Sequence, residues 1–210
     1  MKPVQNYPDI NSIVFDIGWV LLHLDYSPLT TYLKEHGADI SSMRDVTSRI
    51  GLERHESGTL AGEELLANLA RLGSRPMSLS ELRQRWLNMF EPQEPMLALA
   101  RALAARYRVH LLSNVGELHW DYMSQEYGLD RIGHGALTSY AAGVMKPHTR
   151  IYAEAERRFG LEPAATVFID DLPDNVSAAR SRGWHGIEHR NHDATVEALA
   201  ALGVLIEDPA

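Results

Sequence analysis

Three short runs of apolar residues stand out in the hydrophobic pattern of the chain, and each one contains or is followed by polar residues. They cover residues 12–22, 109–112 and 166–169. The first run contains one carboxylate, Asp16, and the other two are followed by the polar pairs Ser113-Asn114 and Asp170-Asp171. Continuous runs of β-branched and aromatic residues are typical of strands that helices cover on both faces. The pattern therefore predicts three buried parallel strands with polar groups at their C-terminal ends.

Between the first two runs, the apolar residues recur with the spacing of helices. Four consecutive amphipathic patterns predict helices at residues 28–36, 42–50, 59–72 and 78–90. Four helices without a strand between them are more than a simple crossover connection needs. We therefore predict a small all-helical insert at residues 24–92, above the strand ends.

After residue 93, helical and strand patterns alternate. Besides the runs described above, weaker strand patterns occur at residues 135–140 and 186–189. Helical patterns lie between the strands and after the last one. This alternation predicts an α/β fold with a Rossmann-like, mostly parallel sheet and helices on both faces.

Composition narrows the classes of function. The 210 residues include no cysteine, which excludes a disulfide framework, a thiolate metal site and a thiol nucleophile. The 28 acidic and 20 basic residues give a net charge of -8, which argues against a general nucleic-acid surface. No apolar run approaches the roughly 20 residues of a membrane-spanning helix, and the first residues lack the order of a signal peptide. We expect a soluble, cytoplasmic protein with no nucleic-acid or membrane partner, and its oligomeric state stays open.

The polar strand ends are expected to act together. Parallel strands present their C-terminal ends to one sheet edge, where ligands bind in open α/β folds. Asp16, Ser113 and the pair Asp170-Asp171 should converge there, although each alone could be a turn or capping residue. Clustered carboxylates favour a hard cation such as Mg²⁺, which also accepts phosphate oxygens. A free carboxylate could then attack phosphorus, while a serine hydroxyl and a lysine such as Lys146 could hold phosphoryl oxygens.

The ordered motifs resemble those of the haloacid dehalogenase superfamily of phosphohydrolases. They read IVFDIGWVL at 13–21, VHLLSN at 109–114, VMKP at 144–147 and VFIDDLPDN at 167–175. The resemblance implies a catalytic core at residues 1–23 and 93–210, with a small helical cap at residues 24–92. It further implies a Mg²⁺-dependent phosphatase that acts on a small phosphorylated substrate.

The resemblance also assigns roles to individual residues. It implies that Asp16 is the nucleophile, forming an aspartyl-phosphate, and that Ser113, Asn114 and Lys146 bind the phosphoryl group. Ser113 and Lys146 would therefore belong to the catalytic set together with Asp16.

A second group of residues would hold the metal. The implied ligands are Asp16, Asp171 and the backbone carbonyl of Gly18. Asp170 would either bind the metal itself or contact the residues that bind it, and Asn175 would support the loop of the fourth motif.

Gly18 departs from the usual pattern. Most phosphatases of this superfamily carry a second aspartate two residues after the nucleophile, where it protonates the leaving group, and the present chain resembles the subgroup with Asp-x-Gly. Loss of general acid catalysis costs roughly 100- to 10,000-fold in rate unless another group supplies the proton. The candidates are His23, His55 and a metal-bound water.

Two other functions stay open from sequence alone. A carbon–halogen hydrolase of the same fold would also use Asp16, but it needs no metal, so the pair Asp170-Asp171 would have little purpose. A non-catalytic or weakly active binding protein would explain Gly18.

Substrate choice should depend on the helical insert, because the residues of the four motifs contact only the phosphoryl group and the metal. A sugar phosphate is the default expectation for a cap of this size. Candidate contacts with the leaving group are Trp19, Arg54, His55 and Glu56.

Overall fold

The computed structural model describes residues 8–205. The strands in this part of the chain are β1 (Ser12–Phe15), β2 (Leu22–Leu24), β3 (Phe90–Pro92), β4 (Arg108–Ser113), β5 (Ala136–Thr138), β6 (Thr166–Asp170) and β7 (His185–Glu188). Five strands form one parallel sheet in the order β5-β4-β1-β6-β7, and β2 pairs with β3 in an antiparallel ribbon. The predicted α/β fold class is confirmed.

Helices occupy most of the remaining described residues. The helices are α1 (Ser27–Glu35), α2 (Met43–Ile50), α3 (Leu52–Glu56), α4 (Gly62–Ala70), α5 (Leu79–Leu87), α6 (Glu94–Ala104), α7 (Glu117–Tyr127), α8 (Ser139–Ala142), α9 (Thr149–Phe159), α10 (Pro173–Ser181) and α11 (His192–Ala201). We call α1 to α5, which all lie between β2 and β3, the helical insert. Among residues 8–205, no helix combines the length and the apolar character that crossing a membrane requires.

The sheet is buried on both faces. Successive side chains of a strand point to opposite faces, and in β1 Ile13 and Phe15 enter a different apolar cluster from Val14. The cluster that contains Val14 also contains Phe168 of β6 and Tyr152 of α9, whose rings meet edge to face. This double burial explains why the central strands are apolar without alternation.

β1 ends at Phe15 and so takes up only the first part of the apolar run at residues 12–22. The main-chain oxygen of Ile17 accepts hydrogen bonds from the amides of Leu21 and Leu22 at 2.8 and 3.0 Å, so the chain turns before β2. The turn is apolar because Val20 and Leu21 are themselves buried in the core. Asp16 therefore lies at the C-terminal end of the first strand, as predicted, and the rest of the apolar run forms the turn and the start of β2.

The insert also differs in detail from the prediction. It contains a fifth, short helix, α3, and the β2–β3 ribbon, neither of which the sequence pattern indicates. Elements of three to five residues are too short to show a helical or strand period. For the same reason, the strand predicted at residues 135–140 divides into β5 and the short helix α8.

Two glycines allow the insert to pack closely on the core. A Cβ on Gly116, which precedes α7, would lie 2.2 Å from the ring of His55 on α3. A Cβ on Gly62 of α4 would lie 2.4 Å from Cγ of Leu118 on α7. Both distances are too short for a side chain, so glycine is required where α3 and α4 rest on α7.

Candidate active site

Three strand ends meet at one edge of the sheet. β1 lies between β4 and β6, and its last residue, Phe15, is in register with both neighbours. Asp16 follows β1 directly, while Ser113 and Asp170 are the last residues of β4 and β6. The Ser113 hydroxyl lies beside the Asp16 carboxylate, where it partly offsets the rise that burial causes in the pKa of Asp16. The convergence expected from the strand ends is present in the structure.

A lysine from outside the sheet joins these strand ends. Lys146 lies between α8 and α9, and its Nζ is 2.8 Å from Asp16 Oδ1 and 2.6 Å from Asp170 Oδ2. Its side chain is only 1% exposed, so two carboxylates take the place of water around the ammonium group. Burial alone would lower the pKa of Lys146, but the two carboxylates outweigh it and raise that pKa. Lys146 is therefore a fixed positive charge.

Asp16, Asp170 and Asp171 form a compact carboxylate cluster. One oxygen of each lies within 4.8 Å of the other two. Burial raises the pKa of Asp16 despite the opposing charge of Lys146, and Asp170 raises it further. Burial and the charges of Asp16 and Asp170 raise the pKa of Asp171 to about 6. Because the negative charges of these carboxylates repel one another, a bound cation would stabilise the cluster. Carboxylate oxygens are ligands that fit Mg²⁺.

Asp170 is oriented by its own loop. Its Oδ1 accepts hydrogen bonds from the Leu172 amide and from Asn175 Nδ2, both at 2.9 Å, and Asn175 also reaches Oδ2 at 3.1 Å. The Asn175 main-chain oxygen in turn accepts a bond from the Tyr152 hydroxyl at 2.9 Å. Both oxygens of Asp170 are thus engaged, which favours a role in orienting Lys146 over direct metal ligation.

Asn114 braces the segment that carries Lys146. Its Nδ2 donates to the Lys146 main-chain oxygen at 2.9 Å, and its Oδ1 accepts from the Lys146 amide at 2.8 Å. Both ends of the side-chain amide are therefore used to hold the lysine backbone in place. A direct contact of Asn114 with substrate stays a prediction.

Gly18 lines a cavity together with Ser113 and Asn114, between the sheet edge and the helical insert. A Cβ at Gly18 would lie 3.6 Å from Leu24 Cδ1, which is an ordinary contact. The fold leaves room for a side chain here. A clash at Cβ is therefore not the reason for glycine at this position.

Glu56 brings another carboxyl group to this cavity. It ends α3, is half-buried, and lines the same cavity as Gly18. The Ser139 hydroxyl donates a 2.5 Å hydrogen bond to its main-chain oxygen, which attaches α3 to the core. Burial and then the charges of Asp16 and Glu53 raise the pKa of Glu56 to about 8. Sequence reasoning considered Glu56 only as a leaving-group contact, because its surroundings come from distant parts of the chain.

The other residues expected near the leaving group lie elsewhere. Among the described residues that line the cavity, neither His23 nor His55 is included. His55 is buried, with Nδ1 2.9 Å from the Leu60 main-chain oxygen, while His23 packs edge to face against Trp19. Arg54 lines a separate cleft on the insert, and Trp19 is 43% exposed. Of the residues expected near the leaving group, Glu56 therefore lines the cavity, whereas the two histidines, Arg54 and Trp19 do not.

Comparison of sequences gives consistent matches. A sequence model of haloacid dehalogenase-like hydrolases matches residues 13–183. D-ribitol-5-phosphate phosphatase of Bacteroides thetaiotaomicron is 27% identical over an alignment of 191 positions that covers 87% of this chain and 93% of that protein. Flavin mononucleotide hydrolase 1 of Arabidopsis thaliana is 28% identical over 155 residues, which are 73% of this chain and 62% of that protein.

Comparison of structures identifies the same fold. A haloacid dehalogenase-family enzyme of Bacteroides thetaiotaomicron, crystallised with magnesium and inorganic phosphate, matches with a TM-score of 0.77. The match covers 86% of this chain and 94% of that one, at 23% sequence identity.

Proposed function

The chain belongs to the haloacid dehalogenase-like hydrolases, and from this premise we propose that it is a Mg²⁺-dependent phosphomonoester hydrolase of small phosphorylated metabolites. The observation that carries the proposal is the buried ion pair of Lys146 and Asp16 inside a cluster of three carboxylates. This arrangement supplies a nucleophile, a phosphate-binding cation and a metal site at one edge of the sheet. We also propose that the helical insert is the cap of this core.

The proposed reaction has two displacements at phosphorus. An Asp16 oxygen attacks phosphorus, the bond from phosphorus to the ester oxygen breaks, and the alcohol leaves. Water then attacks phosphorus, the aspartyl oxygen departs, and phosphate is released with the carboxylate restored. Lys146 and the Ser113 hydroxyl hold the phosphoryl oxygens and offset their charge. Mg²⁺ held by Asp16, Asp171 and the Gly18 carbonyl would supply further positive charge to those oxygens.

Glu56 is the group to which we assign protonation of the leaving oxygen. It lines the cavity next to Gly18, the position where an aspartate would usually act. Its raised pKa, about 8, keeps a proton on the carboxyl group near neutral pH. Glu56, which belongs to the insert, would thus take the role of the aspartate that is missing at position 18.

Replacing Glu56 with Gln is expected to slow the hydrolysis of alkyl phosphates about 100-fold, because their alkoxide leaving groups need a proton. Hydrolysis of p-nitrophenyl phosphate, whose leaving group departs without one, should change little. Since an acid acts only while protonated, the wild-type rate on alkyl phosphates should fall as pH rises through the pKa of Glu56. The variant should lack that fall in its pH–rate profile.

The control for this comparison is Glu64→Gln, which removes an exposed carboxylate from α4 of the same insert. An equal loss on both classes of substrate in Glu56→Gln would show that Glu56 shapes the site rather than donating a proton.

The carboxylate cluster also favours a phosphatase over the carbon–halogen alternative. Dehalogenation at Asp16 would not use a metal, whereas Asp171 places a second free carboxylate beside Asp16, and this pair fits Mg²⁺. By their names, one relative is a phosphatase and the other a hydrolase of flavin mononucleotide, and a structural relative holds magnesium with phosphate. These likenesses support the same reaction for this chain.

The proposal is tested by measuring phosphate release from p-nitrophenyl phosphate and from a panel of phosphorylated metabolites. We expect release with Mg²⁺, its loss when EDTA is added, and its return when excess Mg²⁺ is restored. Phosphate release that persists unchanged in EDTA would contradict the metal dependence. Failure to release phosphate from any compound with Mg²⁺ would favour the binding-protein alternative.

A further inference from the structure

The cavity beside the carboxylate cluster is mainly apolar. Its apolar walls include three methionines, Met43, Met89 and Met123, together with Leu24, Trp86 and Phe90. These side chains come from the helical insert, the β2–β3 ribbon and α7. Gly18 and Ser113 line the same cavity, so it opens directly onto the position that the phosphoryl group would occupy. The group esterified to that phosphate must therefore extend along these apolar walls.

Six of the described lining residues are polar, and most of them are already engaged: Thr47 donates to the Arg44 main-chain oxygen, while Ser113 and Glu56 are assigned to the reaction. His119 Nε2 donates to the Trp86 main-chain oxygen at 2.9 Å, and the His119 ring stacks on the indole of Trp86. Asn114 is committed to the Lys146 backbone. Each hydroxyl of a polyol buried here without a partner would cost roughly 1–3 kcal/mol. The Tyr26 hydroxyl and the buried Trp86 Nε1, which has no partner among residues 8–205, are the donors left for a sugar-like leaving group, and its other hydroxyls would lose their hydrogen bonds to water without replacement.

We propose that the preferred substrate is the phosphate ester of a short hydrocarbon alcohol and not of a polyol. This inference rests on the proposed phosphatase function and specifies its leaving group. The cavity volume is about 80 Å³, smaller than the roughly 150 Å³ apolar cavity that holds benzene. The buried part of the leaving group is thus a few methylene groups long. The unbranched methionine side chains can adjust to the shape of such a chain.

The test is a series of straight-chain primary alkyl phosphates of increasing length, with ribitol 5-phosphate as the polyol comparison. All leave as primary alkoxides, so differences in kcat/KM report the contacts of the leaving group. Burial of each methylene should raise kcat/KM about 3- to 4-fold, until the cavity is full and the values level off. Ribitol 5-phosphate should fall below the best alkyl phosphate.

Met43→Gln tests the wall directly. Met43 is half-buried, so an amide is tolerated in the fold, and the dependence on chain length should become shallower. The matched control is Met77→Gln, a half-buried methionine of the same insert that is not among the described lining residues, and it should retain the wild-type dependence. The wild-type series decides the question even if Met43→Gln does not fold.

Two results would overturn the inference while leaving the phosphatase function intact. They are a kcat/KM that does not rise with chain length, and a higher kcat/KM for ribitol 5-phosphate than for every alkyl phosphate. Failure to hydrolyse p-nitrophenyl phosphate as well would instead overturn the proposed function, and this inference with it.

Discussion

Asp16→Asn is expected to reduce phosphate release by roughly 10⁴- to 10⁶-fold, the scale on which removing a nucleophile acts. The neutral amide cannot form the bond to phosphorus, and it also withdraws one ligand from the carboxylate cluster. The fold should persist, because Lys146 keeps its 2.6 Å contact with Asp170. Rates measured with p-nitrophenyl phosphate at saturating Mg²⁺, alongside thermal unfolding, separate lost chemistry from lost structure.

A suitable control is Asp174→Asn, which removes an exposed carboxylate from the first turn of α10. It should retain activity close to that of the wild type. Substantial turnover in folded Asp16→Asn protein would mean that phosphorus is attacked by another group, and the two-step reaction at Asp16 would have to be abandoned.

Lys146→Met should have the largest effect on stability. It leaves the carboxylates of Asp16 and Asp170 buried at close range without their cation, and removing one partner of a buried ion pair typically costs about 3–5 kcal/mol. Phosphate release should also fall by about 1,000-fold, because the phosphoryl oxygens lose a fixed positive charge. Denaturant unfolding in EDTA gives the first quantity, and steady-state rates with Mg²⁺ give the second.

Magnesium provides an internal check on this prediction. Added Mg²⁺ should restore part of the lost unfolding free energy in Lys146→Met, because a cation again compensates the carboxylates. The exposed residue Lys34 provides the comparison variant, Lys34→Met, for which we expect no such change. Equal unfolding midpoints for Lys146→Met and the wild type in EDTA would show that the ion pair does not hold the strand ends together.

The residues at the strand ends and Lys146 could be predicted because each lies in a short, distinctive stretch of sequence. Asp16, Ser113 and Asp170 follow apolar runs, and parallel pairing then brings them to one edge without further information. Lys146 stands next to a proline in a recognisable motif. The family resemblance that these motifs indicate is confirmed by the match over residues 13–183.

The surroundings of the leaving group could not be predicted in the same way. The position of Glu56 depends on a hydrogen bond from Ser139, 83 residues away, and on the contact of His55 with Gly116. The bracing role of Asn114 depends on the main chain of Lys146. Such contacts form only when the insert packs on the core, so the hydrophobic periodicity within either segment does not predict them.

The antiparallel ribbon has a consequence for how this protein can diversify. The chain leaves the core in β2 and returns in β3, and the two strands are hydrogen-bonded neighbours, so both ends of the insert lie about 5 Å apart. A segment with adjacent ends can be lengthened, shortened or exchanged as a unit without displacing the strands that carry Asp16, Ser113 and Asp170. Evolution can thus alter what enters the cavity while inheriting the phosphoryl chemistry intact, and a protein engineer can graft a different insert at the same junction.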